Sequence, residues 1–430
     1  MSPWPTEHRI LSGAVAAAVA CLLAACGGGT KPADDSPRNA GASKPSASFP
    51  GGDKGSRQPQ GPPEAFAEDG AVLDGQFPDA QDHPADMLAL GDELAYGYHS
   101  GKRMGEVTGI DAFRLGSGDT AWRAKVPEGT HVSRAPALVG DTVVGAFATR
   151  TEGEGTVPGH YGIRVVAYDA RTGEERWTRE LVTDRDSLGL VPEVVAGRAG
   201  RVLVTWAGSG FNAPTPTSAL LDTRDGRVVW TAEDFEGVDL EDRVAVGIRA
   251  DGSTFVGKSV SGKELWKRRL LQTDWGASPD PGPGLTLVDG PMLTSVSTGE
   301  SMDAWLLDPL TGKTRLDLGT ATSNRCRYDG RSTTICSERA GAVVAVDVRT
   351  ARVLWRLPDK AANRVEPTVT AAWQGIVYAE GVNGAMTLDA RTGKDRRTGL
   401  PLAPQLVNDK YGIVSHGSDE RGVEVFRATG

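Results

Sequence analysis

A stretch reading Ala167-Tyr168-Asp169-Ala170-Arg171-Thr172-Gly173-Glu174-Glu175-Arg176-Trp177 recurs in altered form along the chain. Leu221-Asp222 leads through Gly226 to Trp230, Gly262 precedes Trp266, and Val346-Asp347 leads through Thr350-Ala351 to Trp355. An early copy runs from Ala112 and Phe113 through Gly118 to Trp122. Two more keep the turn without the Trp: Leu307-Asp308 with Thr311-Gly312, and Leu388-Asp389 with Thr392-Gly393. In each copy one apolar run precedes the turn and another follows it, the pattern of a β-hairpin. Gly supplies the left-handed backbone of the turn, and Asp and Thr side chains bond nearby backbone groups. The large residue four positions after the Gly falls on the outer strand, facing a neighbouring unit. Seven copies spaced 36 to 55 residues apart imply stacked units rather than isolated hairpins.

Two further strands fit between copies, for instance Ala137 to Val139 and Thr142 to Ala148 before the Ala167 copy. Four strands per unit make a propeller blade. The high turn content, Gly 55 and Pro 26, agrees with many chain reversals and argues against a helical bundle. The last segment supplies three strands, Gln405 to Val407, Tyr411 to Ser415 and Val423 to Arg427. Ala71 to Phe77, an early strand-like run, is placed to supply the fourth. The expected fold is therefore all-β: residues 70–430 form an eight-bladed β-propeller of four-stranded antiparallel blades, at roughly 45 residues per blade. Seven blades with a ragged tail is the alternative.

The Ala-x-Asp-x-x-Thr-Gly-x-x-x-Trp hairpin resembles the tryptophan-docking motif of pyrroloquinoline-quinone-type (PQQ-like) repeats. Quinoprotein dehydrogenases share it with non-enzymatic propeller lipoproteins such as the outer-membrane assembly factor of Gram-negative bacteria. The resemblance implies that Trp122, Trp177, Trp230, Trp266 and Trp355 staple blades together and touch no substrate. Ala351 in place of Gly, and Arg114 and Lys258 in place of Asp, depart from the pattern. The enzymes of this group imply an aspartate base, a bound calcium and often adjacent cysteines. No two cysteines are adjacent here, the histidines share no ligand spacing, and no other catalytic motif occurs. The expected function is thus a binding or scaffold protein without cofactor or metal. A PQQ-dependent dehydrogenase or other propeller enzyme is the alternative.

The uncharged run from Ile10 to Ala25 reads as a secretion signal, too short for the roughly 20 residues of a spanning helix. It ends Leu23-Ala24-Ala25-Cys26-Gly27, which resembles a bacterial lipobox. That resemblance implies a signal peptide over residues 1–25 and lipid attachment at Cys26, two acyl chains sufficing for a stable anchor. An ordinary cleaved signal or an uncleaved anchor is the alternative. Residues 26–69 are rich in Gly, Pro and Ser and read as a disordered tether. Of the remaining cysteines, Cys326 and Cys336 flank the turn residues Asp329-Gly330, so a cross-strand disulfide is expected in an oxidising compartment. A metal site is the rival there. A net charge of −9 opposes nucleic acid and anionic lipid over long range. Localisation at the cell membrane, on its extracytoplasmic side, follows, with another envelope protein or a cell-surface ligand as partner. Long connections at Thr149 to Gly162, Gly208 to Ser218 and Gln272 to Gly284 fall on one face of a propeller, which makes Trp206, Phe211 and Trp275 the candidate binding residues.

Overall fold

The chain divides into two compact units, residues 1–57 and 58–430. The computed structural model describes residues 61–429 apart from 76–86, 102–106, 131–134, 152, 157–158, 183–189, 209–214, 270–284, 288–292, 299–300, 320–321, 339–340 and 417–421. The described strands form eight four-stranded antiparallel sheets. Seven use four consecutive strands each. In chain order these are blade 1 (88–130), blade 2 (137–182), blade 3 (190–233), blade 4 (236–269), blade 5 (285–319), blade 6 (322–357) and blade 7 (368–400). The remaining sheet is composite: Leu406–Val407, Tyr411–Ser415 and Val423–Ala428 are joined on the outside by Phe66–Val72 from the other end of the unit. It is called blade 8 below.

Strands of alternating residues bury both of their faces, so the core is divided among the seams between sheets. Ile110 and Ala112 of blade 1 pack with Val143 and Phe147 of blade 2. Val165 and Ala167 of blade 2 meet Val202 and Val204 of blade 3. Similar clusters join each following pair, and Ile413 and Val425 of blade 8 pack on Ala95 and Phe113 of blade 1. The sheets therefore close into a ring. In blades 1 to 4, 6 and 7 the turn joining the first and second strands touches the turn joining the third and fourth, as in the Ala170 N–H to Asp141 carbonyl bond of 2.9 Å. These turns share one face, and the other connections share the opposite one.

The outer strand of blade 8 begins earlier than expected. It is Phe66–Val72 rather than Ala71 to Phe77, and residues 76 and 77 lie outside the described residues. Phe66 is buried against Ala371 and Tyr378, and the Tyr378 hydroxyl donates to the Pro63 carbonyl at 2.5 Å. Residues 61–69, expected in the tether, thus pack with the ring. A register shift between Phe66 and Gly70 places the polar Ala67-Glu68-Asp69 stretch in a bulge, which hid the strand from its alternation pattern.

Candidate binding surfaces

The repeated hairpin works between blades. Trp122, Trp177, Trp266 and Trp355 each donate their indole N–H to the turn of the next blade, at Ala170 (3.0 Å), Thr223 (2.7 Å), Pro309 (2.8 Å) and Ala390 (2.9 Å). Each acceptor follows the turn aspartate. The indole lies flat under the glycine of that turn, so a Cβ at Gly226 would stand 2.4 Å from the Trp177 ring, on backbone already at φ +67°. Trp230 meets Gly262 in the same way, yet its Nε1 is buried without a partner among the described residues. The Ser259 to Gly262 turn is one residue shorter than Asp308 to Gly312, and no carbonyl reaches the indole.

Ala351 occupies the glycine position at φ +55°, and the preceding blade explains why it can. Leu316 stands there in place of a Trp and packs with Ala351. The polar staple is supplied by Arg315, which donates to the carbonyls of Val348 (3.0 Å) and Arg349. In blade 7 Arg397 takes the Trp position, and with Arg396 it pairs with Glu64. The turn aspartates are held as acceptors. Asp169 receives the backbone N–H of Arg171 (3.0 Å) and Thr172 (2.9 Å) and the Arg176 guanidinium (2.7 Å). Arg176, together with those N–H groups, pulls the Asp169 carboxyl down to about 2.

The three candidate binding aromatics do not come together. Trp206 is only 6% exposed and continues the Val202 and Val204 row into the core between blades 2 and 3, which removes it from any contact surface. Phe211 and Trp275 lie outside the described residues. The connection from Thr149 to Gly162 is partly strand, with pairing carried out to Thr151 and His160, so a hairpin projects from blade 2 on this face.

The same face carries a groove that the sequence did not advertise. It is a cavity of about 390 Å³ between blades 6 and 7, with Leu357, Met386 and Leu388 as its apolar floor. One wall is the connection from Asn363 to Pro367 and the other the turn of Val382, Asn383 and Gly384. Val365 and Val382 at the rim are 55% and 79% exposed. Paired backbone bonds between Asp359 and Arg364, at 3.0 and 2.9 Å, close the first wall into a tight loop, and the Arg364–Asp395 ion pair fixes it to blade 7. Isolated valines in turns carry no sequence signal, because only the fold brings 365 and 382 together.

Two polar clusters lie elsewhere. Asp111, 1% exposed, accepts two bonds from Arg123 (2.7 and 2.8 Å) and faces His99 Nδ1 at 3.0 Å. An aspartate between Ile110 and Ala112, in a strand otherwise buried on both faces, was the available signal for this cluster. Glu241 pairs with Arg198 of the neighbouring inner strand. Burial raises the Glu241 carboxyl, and its Oε1 has no partner among the described residues. Among the described residues no three His, Cys, Asp or Glu side chains converge in a way that could hold a metal ion. Cys326 and Cys336, directly opposite in adjacent strands of blade 6, are joined as a disulfide.

Residues 103–259, roughly a third of the chain, match the model of a PQQ-type repeat family described as outer membrane protein assembly factor BamB. No curated protein matches the chain. Among solved structures, BamB from Moraxella catarrhalis is similar at 18% identity and a TM-score of 0.49, over 85% of this chain and 100% of that one. The computationally designed Ika8 protein is similar at 16% identity and 0.49, over 85% and 99%. A europium-containing methanol dehydrogenase reaches 12% identity and 0.44, over 83% and 92%.

Proposed function

We propose that the chain is an exported scaffold, acylated at Cys26, which forms an eight-unit propeller outside the cell membrane and binds an envelope protein there. The observation that carries this reading is the groove between blades 6 and 7, an apolar floor opening between two exposed valines on a rigid support. It suits an extended segment that inserts one apolar side chain toward Leu357, Met386 and Leu388 and offers backbone groups to Asn363 and Asn383. The Cys326–Cys336 disulfide supports an oxidising compartment. The family match over residues 103–259 supports a role in envelope assembly.

The test is cross-linking of the lipidated full chain in its own membranes, with Val365→Asp and Val382→Asp beside Leu310→Asp, an exposed apolar position on another blade. Loss of one defined cross-linked band by tenfold or more in the first two variants alone supports the groove. Equal capture by all three overturns it. A Cys26→Ser chain that still fractionates with membranes, with no lipid mass on its wild-type counterpart, overturns the anchor. Dye reduction by protein supplied with PQQ and calcium would replace the scaffold by a quinoprotein dehydrogenase.

A further inference from the structure

The turn-bearing face is uniform in backbone and uneven in charge. At the turn ends of blades 6 and 7, Arg349, Arg352, Arg391, Lys394, Arg396 and Arg397 are all exposed. The carboxylates among them mostly sit beneath. Asp347 is 4% exposed under Arg391 at 53%, and Glu64 is 21% exposed under Arg396 at 39% and Arg397 at 49%. Asp389, 32% exposed beside Arg396, and Asp395, 46% exposed beside Arg364, are the carboxylates that reach the surface. The outer layer of this sector is therefore cationic, on a chain whose net charge is −9.

The sector is continuous. Trp355 stacks under Gly393, and Arg391 bonds Asp347 across the seam at 3.0 Å, so the turns of the two blades are locked side by side. It is also where the described chain begins. Residues 63–65 lie against it, with Glu64 bonded by Arg396 at 2.9 Å and the Ala65 carbonyl accepting from Thr429 N–H. The first described residues thus lie at this edge of the ring.

We propose that this sector is a docking surface for an anionic lipid bilayer, so that the ring rests on the membrane by the turn ends of blades 6 and 7. Charge complementarity and the position of the first described residues at the same edge select this occupant. Residues 27–60, between an anchor at Cys26 and Gly61, would let the ring reach the bilayer, and docking there would bring these cations to within a Debye length of the headgroups, about 8 Å at physiological salt. There each is worth about fivefold in partition. The opposite face, with the groove, is then turned away from the membrane. The lipid-facing sector does not depend on acylation, so it can fail or hold independently of the anchor.

The test is co-sedimentation of the full chain with vesicles of neutral phosphatidylcholine, alone or with about 30% phosphatidylglycerol, at low and high salt. Arg349, Arg352 and Lys394 make no ion pair among the described residues, and their joint replacement by Gln is the informative variant. A control replaces Arg114, Arg171 and Arg224 of other turns by Gln. The ratio of binding to anionic over neutral vesicles cancels the contribution of the apolar run at residues 10–25. That ratio is expected to fall at least about tenfold in the first variant and in high salt, and less than about threefold in the control. An unchanged ratio in a first variant that melts like wild type overturns the proposal. So does equal loss in both variants. Binding of an acidic polypeptide such as polyglutamate, lost in the first variant while vesicles are ignored, would assign the sector to a protein instead.

Discussion

Blades 1 and 2 and blades 6 to 8 are made from the same hairpin, and they differ in what their turns present and in how their seams are closed. In the first pair acidic residues outnumber basic ones at the exposed turns: Asp92, Glu93, Asp119, Asp141, Glu174 and Glu175 stand against Arg114 and Arg171. An indole joins blade 1 to blade 2 and another joins blade 2 to blade 3. In the second region the exposed turn layer of blades 6 and 7 is mainly cationic, whereas blade 8 exposes Glu68, Asp69 and Asp409. The seam from blade 7 to blade 8 joins guanidinium groups on Glu64 to an indole bond from Trp373 to Asp409 at 2.9 Å, and the outer strand of blade 8 is supplied by Phe66–Val72. The proposed orientation would rest on residues that cost the fold little, because turn side chains can vary while the Asp, Gly and large-residue positions hold the ring.

The largest effect should come from the composite blade. Deleting residues 61–72 exposes the edge of Val423–Ala428 and removes Phe66 from its core, so the ring should lose its cooperative thermal transition. Deleting residues 27–57 should leave the melting temperature within about 2 °C. Similar melting of both deletions would break the contrast between a sealed ring and a dispensable tether.

The next effect separates the two kinds of staple. Trp177→Ala empties a site buried to 8% exposure and orphans the Thr223 carbonyl, for a loss of about 3–5 kcal/mol by denaturant unfolding. Arg315→Ala removes a partly exposed guanidinium staple and should cost about 1 kcal/mol. Equal losses would show that indole and guanidinium seams are equivalent.

A pH series sharpens the electrostatic half. The folded Asp169 carboxyl is held at about 2, below its usual 3.8, mainly by Arg176. Its contribution is complete above pH 4 and is lost as pH falls from about 4 to 2. For a site exposed by about a quarter, screening leaves roughly 1 kcal/mol. Arg176→Gln should remove that acid dependence, and an unaltered acid limb would contradict the assignment. The smallest effect concerns the indole N–H alone. Trp177→Phe should cost about 1 kcal/mol more than Trp230→Phe, because only Trp177 makes the bond, and the two unfolding curves compare them directly.

The repeat carried the ring, its hairpins and their outer large residues into view, because each copy satisfies a backbone requirement that leaves a fixed residue type. Ala351 and Leu316 carry a paired signal within the sequence: a turn can lose its Gly where the preceding blade has lost its Trp. The closing strand was misplaced because its bulge breaks the alternation that marks a strand. Trp206 lies beside the long connection Gly208 to Ser218, which points to the binding face, whereas its parity with Val202 and Val204 assigns it to the core. The groove and the cationic sector were not legible, since both depend on residues from different connections meeting in space, and overall charge conceals local distribution.

The proposed docking of the ring on a membrane is tested by hydrogen–deuterium exchange of the lipidated full chain on phosphatidylglycerol-containing vesicles. Adding vesicles should slow exchange at residues 61–66, 347–352 and 389–397, and leave residues 91–93, 114–119 and 169–175 unchanged. Protection of the blade 1 and 2 turns instead, or equal protection around the whole ring, would contradict it.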